Sequence, residues 1–109
     1  MKKILFVCLG NICRSPLAEG VFWHLAQQAG RGDGFEVDSC GTGGWHEGEH
    51  PDPRSQAVAR THGVKLNHRA RQFDRADFNN FDLILAMDRQ NKSDLLSFSN
   101  LKSEERAKV

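Results

Sequence analysis

Within sixteen residues of its start the chain changes pattern twice, and this constrains the fold more than anything else in it. Ile4-Leu5-Phe6-Val7-Cys8 is an unbroken apolar run, Leu9 to Arg14 is a short loop, and Ser15-Pro16 opens a helical pattern. A short, uniformly apolar run suits a central parallel strand covered on both faces. Ser15 can cap free N–H groups, and the missing N–H of Pro16 costs nothing at a helix start. Leu17, Val21, Leu25 and Ala18, Phe22, Ala26 then recur at helical spacing until Gly30. A strand fed directly into a helix is the building unit of α/β proteins.

The rest of the chain repeats that alternation. Phe35-Glu36-Val37-Asp38 reads as a half-buried strand, and residues 41–53 as a glycine- and proline-rich loop that carries Trp45. Residues 54–62 form a short helix stopped by Gly63, and Asp82 to Met87 a second buried strand. Asp88 opens a polar helix with Leu95, Leu96 and Phe98 available to pack, and one more helix starts at Lys102. The pattern predicts one α/β domain over residues 1–109, a three-layer, doubly wound parallel sheet of the flavodoxin-like kind.

Charge and hydropathy exclude several function classes. Fifteen Lys and Arg oppose fourteen Asp and Glu, and neither the first 44 residues nor the remainder forms a charged tail. That balance excludes a nucleic-acid partner held by bulk charge. No stretch approaches the roughly 20 apolar residues of a membrane span. The run Ile4–Cys8 is too short for a secretory signal, and a glycine turn follows it. The expected location is the cytoplasm, where three cysteines are thiols rather than disulfides. The expected state is a monomer or a weak self-associating chain.

The chemistry concentrates where the first strand meets the loop. Ligands of open α/β sheets bind outside the carboxyl ends of strands, and Cys8 stands at such an end. A loop wrapped there can aim successive N–H groups of Leu9, Gly10, Asn11, Ile12 and Cys13 at one oxyanion. The following helix adds the positive end of its dipole, and Arg14 adds a planar fork for two phosphate oxygens. Gly10 is expected to supply backbone angles closed to other residues. Those features also favour a charged sulfur at Cys8. The implied reaction is attack of Cys8 on a phosphate monoester, followed by hydrolysis of a cysteinyl-phosphate. Ser15 is placed to hydrogen-bond the sulfur as it leaves. A metal centre is not expected: Cys8 and Cys13 are too few, and Cys40 and the five histidines show no ligand spacing. No Gly-Lys-Ser/Thr phosphate loop and no dinucleotide glycine fingerprint is present. No cofactor is implied.

The run Val7-Cys8-Leu9-Gly10-Asn11-Ile12-Cys13-Arg14-Ser15-Pro16-Leu17-Ala18-Glu19 resembles the signature of the low-molecular-weight protein tyrosine phosphatases. The likeness continues through Asp38-Ser39-Cys40-Gly41-Thr42, His68-Arg69-Ala70-Arg71-Gln72 and Phe81 to Asp88. It implies hydrolysis of phosphotyrosine proteins or small aryl phosphates, with Cys8 as nucleophile and Arg14 as phosphate clamp. It implies that Asn11 holds the loop in a strained shape through Ser15, Ser39 and His68. Trp45, with Leu9 and Ile12, would wall the slot for an aromatic ring. Cys13 would pair reversibly with Cys8 under peroxide, as expected for a thiol beside a reactive thiolate. Cys40 stands where the family usually has Ala and reads as a small apolar residue. His46, His50 and His62 read as solvated.

One part of the family pattern is absent. Expelling a tyrosine oxygen calls for a proton donor. The resemblance places it in an Asp-Pro-aromatic motif past residue 109, so this sequence resembles the first two-thirds of such an enzyme, without the last strand and helix. Asp52-Pro53 matches a different loop, and no general acid is assigned within residues 1–109. Asp88 or Asp52 could replace it in part. The exposed side of the last strand, around Leu83 and Leu85, would then be an unpaired edge. The alternatives are a phosphate- or phosphotyrosine-binding module without turnover, an arginine phosphatase, or an arsenate reductase of the same fold. Arginine phosphatases tend to carry Thr at the position of Ile12, and arsenate reductases need thiols that do not follow Cys40.

Overall fold

The computed structural model describes residues 1–98 and 101–109. Strand β1 (Lys2–Cys8) leads into helix α1 (Arg14–Gln28), strand β2 (Phe35–Gly41) and helix α2 (Pro53–Thr61). A four-residue helix α3 (Asp77–Asn80) precedes strand β3 (Leu83–Ala86), followed by α4 (Arg89–Leu96) and α5 (Ser103–Arg106). The sheet order is β2-β1-β3, and both pairings are parallel. The expected α/β fold with a central first strand is therefore present, and Cys8 is the last residue of that strand.

Helices cover both faces because β1 alternates between two apolar sets. Phe6 meets Phe22 of α1 with ring centroids 6.1 Å apart, and Phe22 meets Phe35 at 5.1 Å. On the other face Leu5, Val7, Cys40 and Ile84 pack with Phe73, Phe78 and Leu95. Phe73, Phe78 and Phe98 form a mutually tilted triplet with centroids 5.0–5.7 Å apart. Cys40 belongs to this core, and burial pushes its thiol well up from the ordinary cysteine range. Of the two apolar stripes on α1, the one containing Phe22 and Ala26 faces the sheet. Val21 and Leu25 remain exposed and flank a groove with Val58 and Val64 of the α2 side.

At α2 and α4 the helix start follows local hydrogen-bond supply. Asp52 caps α2 through the Arg54 N–H, and Asp88 caps α4 through the Asn91 N–H at 2.8 Å. At α1 the expectation fails: the helix begins at Arg14, Cys13 holds the cap position, and no side chain caps it. Ser15 lies inside the first turn and turns its hydroxyl toward Cys8 instead. The short helix α3 has no counterpart in the expected elements. The edge of β3 also differs from expectation, because the Ile84 N–H donates to the carbonyl of Lys108 at 2.8 Å. The C-terminal turn thus pairs part of an edge that otherwise would be bare.

Candidate active site

The loop after β1 is shaped by where its carbonyls go. The oxygens of Cys8, Leu9 and Ile12 accept from the N–H groups of Thr42, Gly43 and Asp52 at 2.8, 2.9 and 2.7 Å. In a trans peptide the C=O and the next N–H point in opposite directions. Tying these oxygens outward therefore turns the N–H groups of Leu9, Gly10 and Cys13 to the inner side. The Asn11 N–H donates to Cys8 Sγ at 3.2 Å. Helix α1 opens at the same end of the sheet, with first-turn N–H groups that have no intrahelical acceptor. The result is a concave set of donors around one sulfur.

Asn11, not Gly10, carries the unusual backbone. Asn11 has φ of 57°, whereas the positive-φ glycines are Gly30, Gly48 and Gly63. Asn tolerates this region better than most residues, and here its side chain is pinned as well. The backbone N–H of Arg71 donates to Asn11 Oδ1 at 3.0 Å, which settles the amide orientation. His68 Nε2 shares that oxygen at 2.7 Å, and Asn11 Nδ2 donates to Ser15 Oγ at 2.7 Å and Ser39 Oγ at 3.0 Å. The Asn11–Ser15–Ser39–His68 set implied by the family resemblance is thus brought together. Gly10 serves by closeness: a Cβ there would stand 3.1 Å from the His46 ring. Gly41 has a similar role, since a Cβ would come within 2.7 Å of the Leu9 carbonyl oxygen.

Ser15 Oγ lies 2.9 Å from Cys8 Sγ and 3.4 Å from the Cys40 carbonyl. Because Ser15 Oγ accepts from Asn11, its own proton is free to go to the nearer sulfur. Cys8 is almost completely buried at the base of a cavity of about 230 Å³. Leu9, Ile12, Cys13, Arg14 and Trp45 line its walls with His46, a residue the sequence reading left in solvent. Trp45 is 72% exposed, and its ring lies over Gly43 so closely that a Cβ there would displace it. A larger cavity, about 560 Å³, lies elsewhere, between α1, the β2 edge and residues 65–68.

Arg14 reaches Asp88 Oδ2 at 3.0 Å, with the guanidinium half exposed. Asp88 Oδ1 meanwhile takes the Asn91 N–H. The Asn91 hydrogen bond and Arg14 hold the Asp88 carboxyl below the usual carboxylate range. Asp52 is lowered too, by hydrogen bonds from Arg54. Both carboxyls are thus held toward the charged form in this arrangement. Asp88 tethers the Arg14 guanidinium, a contact that only the chain's return at β3–α4 brings into view.

Behind the loop lies a polar cluster the sequence reading missed. Ser39 Oγ donates to Glu19 Oε1 at 2.6 Å. His68 Nδ1 stands 3.3 Å from that same oxygen and 3.4 Å from Asp38 Oδ1. Arg71 bonds Asp38 at 3.1 Å and places both terminal nitrogens on Asp77, at 3.0 and 3.1 Å. Burial pushes the Glu19 carboxyl up to about 7, against the Ser39 hydrogen bond, which lowers it. Burial also lowers the His68 imidazole, although Asp38 pulls the other way. Because Asn11 Oδ1 is an acceptor, the contact with it places a proton on His68 Nε2.

The chain matches the family described as Low molecular weight phosphotyrosine protein phosphatase over residues 3–109. It is 55% identical over 86 residues to the Low molecular weight protein-tyrosine-phosphatase of Streptomyces coelicolor, covering 79% of this chain and 52% of that protein. It is 49% identical to the Low molecular weight phosphotyrosine protein phosphatase of Schizosaccharomyces pombe, covering 98% of this chain and 68% of that one. Its fold superposes on a protein tyrosine phosphatase from Entamoeba histolytica with a TM-score of 0.93 at 38% identity, over 100% of this chain and 69% of that chain. The chain thus spans about half to two thirds of the length of these relatives.

Proposed function

This chain belongs to the low molecular weight phosphotyrosine protein phosphatase family, and we propose that it hydrolyses phosphotyrosine and small aryl phosphates through Cys8. One observation carries the reading: the outward-tied carbonyls of Cys8, Leu9 and Ile12 turn the loop's N–H groups around the Cys8 sulfur.

Cys8 Sγ attacks phosphorus as the thiolate, the phosphorus–oxygen bond to the aryl group breaks, the aryl oxide leaves with the electron pair and takes its proton from solvent, and a cysteinyl-phosphate forms. The loop N–H groups and Arg14 hold the equatorial oxygens as charge develops on them. Water then attacks phosphorus, the sulfur–phosphorus bond breaks, and the Ser15 hydroxyl stabilises the departing sulfur. Asn11, Ser39 and His68 position the loop. Leu9, Ile12 and Trp45 offer flat apolar contacts to the aryl ring, and Ile12 has no hydroxyl for a phosphoguanidine nitrogen. Cys13 lines the same cavity and is a free thiol, as its role as redox partner of Cys8 needs.

The reading extends to a single domain over residues 1–109 that acts as a monomer or a weakly self-associating chain in the cytoplasm, where Cys8 stays reduced. Among the described residues no helix is long and apolar enough to cross a membrane. The test is phosphate release from p-nitrophenyl phosphate, whose leaving group departs with little help from an acid. The chain is expected to release phosphate, and Cys8→Ser to lose at least about a thousandfold in rate. Saturable phosphate binding without release by the folded chain would make it a binding module instead.

A further inference from the structure

At the mouth of the Cys8 cavity stands a histidine–carboxylate pair that the reaction above leaves unused. His46 Nδ1 lies 2.8 Å from Glu49 Oε2, and the His46 ring lines the cavity beside Trp45. A Cβ on Gly10 would stand 3.1 Å from His46 Cδ2 and 3.8 Å from Nε2, so this edge of the ring lies over the loop. The backbone holds the pair there. The Glu49 N–H donates to the His46 carbonyl at 2.9 Å, the Gly48 N–H to the Ala70 carbonyl at 2.7 Å, and the Ala70 N–H to the Glu49 carbonyl at 2.8 Å. The next residue, Arg71, donates its N–H to Asn11 Oδ1. One segment thus fixes both the loop around the sulfur and the pair at its mouth.

Glu49 occupies Nδ1 and leaves Nε2 without a hydrogen-bond partner among the described residues. A carboxylate on one ring nitrogen orients the other for proton transfer. The pair is partly exposed, so it can recover protons from solvent, and an ion pair so exposed adds little to stability. In-line displacement puts the leaving oxygen opposite the attacking atom. Cys8 forms the base of the cavity, so the leaving oxygen faces the mouth, where His46 stands.

We propose that His46, oriented by Glu49, is the general acid that protonates the leaving aryl oxygen, an inference that rests on the Cys8 reading above. An oxide as weakly basic as p-nitrophenolate leaves unaided and takes its proton from solvent, whereas phenol or tyrosine needs the proton as the bond breaks. As the phosphorus–oxygen bond breaks, its electron pair stays on the aryl oxygen, which takes the Nε2 proton of the imidazolium and leaves as the neutral phenol. The neutral ring then accepts a proton from the water that attacks the cysteinyl-phosphate, which restores the imidazolium and the Cys8 thiolate. His46 is the catalytic residue of the pair, and Glu49 is its positioning residue.

The test compares kcat/KM for phenyl phosphate and p-nitrophenyl phosphate across pH in the 109-residue chain, in His46→Gln and in Glu49→Gln. His46→Gln is expected to lose roughly a hundredfold on phenyl phosphate, with a fall on p-nitrophenyl phosphate at least about tenfold smaller. Glu49→Gln removes the charge that favours the imidazolium, so the alkaline limb of the phenyl phosphate profile should move to lower pH. The Cys8 and Cys13 thiols and Arg14, with Asp88 upon it, also face this cavity. They act on both substrates alike, so a limb confined to phenyl phosphate belongs to the pair. Equal falls on both substrates in His46→Gln, or an unmoved limb in Glu49→Gln, would overturn the proposal and leave the Cys8 reading standing. No release from p-nitrophenyl phosphate by the folded, unaltered chain would overturn both.

Discussion

Arg14 and Arg71 both serve the site, and they are held in opposite ways. Arg14 is about half exposed and has one carboxylate partner, Asp88, on a single nitrogen. Arg71 spreads its nitrogens over Asp38 and both oxygens of Asp77, and its backbone N–H goes to Asn11. One guanidinium is kept available, the other is committed to structure. The same contrast separates the loop after β1 from the cluster behind it. The loop is a contiguous segment whose donors point at an open cavity. The cluster is drawn from α1, β2, the segment after α2 and α3, and its donors are already satisfied by protein. A phosphate-binding loop works only if its N–H groups are left without internal acceptors, which costs stability. The cluster supplies the compensating hydrogen bonds through one residue, Asn11.

Breaking that residue should give the largest effect. Asn11→Ala removes four hydrogen bonds from a residue that is 1% exposed, and leaves Ser39, His68 and the Arg71 N–H short of a partner. We expect a stability loss of roughly 3 kcal/mol or more in urea unfolding, together with a large fall in phosphate release. Asn11→Gly separates the two causes. It relieves the positive φ but restores no hydrogen bond, so it should recover only about 1 kcal/mol. Full recovery in Asn11→Gly would mean that backbone strain, not the network, links the two regions.

A smaller effect sharpens the Arg14 side. Asp88→Asn keeps an oxygen for the Asn91 N–H but removes the charge that competes with phosphate for Arg14. Inorganic phosphate should then inhibit at a several-fold lower concentration. Weaker inhibition would assign Asp88 to positioning the guanidinium rather than to occupying it. The smallest effect belongs to Asp52→Ala. It removes the cap of α2 and should lower the midpoint of thermal unfolding slightly, while leaving phosphate release per folded chain as it was.

The two regions also differ in how far the sequence discloses them. Cys8, the loop and Arg14 follow from a strand run, a glycine and a helix start that are adjacent in the chain. The placement of Ser15 is legible, but its direction is not: a serine before proline reads as a cap, and only the buried fit against Cys8 and Asn11 redirects it. Gly10 reads as the conformational hinge, whereas Asn11 takes that role because its amide has four partners that arrive from elsewhere. Asp38 alternates with apolar residues and so reads as solvent-facing, yet Arg71 and His68 fold over it. Asp77 and α3 are missed because four residues carry no helical period. Charged groups that meet only after the chain returns leave no local pattern.

The central claim is that Cys8 is a phosphorylated nucleophile within an amide bowl that residues 1–109 complete. The most direct measurement is mass spectrometry of the chain quenched in acid during turnover of p-nitrophenyl phosphate. The account predicts one added phosphoryl group, on the peptide containing Cys8, absent from Cys8→Ser. Phosphate release by a folded chain whose phosphoryl group lies on another residue, or which is retained in Cys8→Ser, would contradict it.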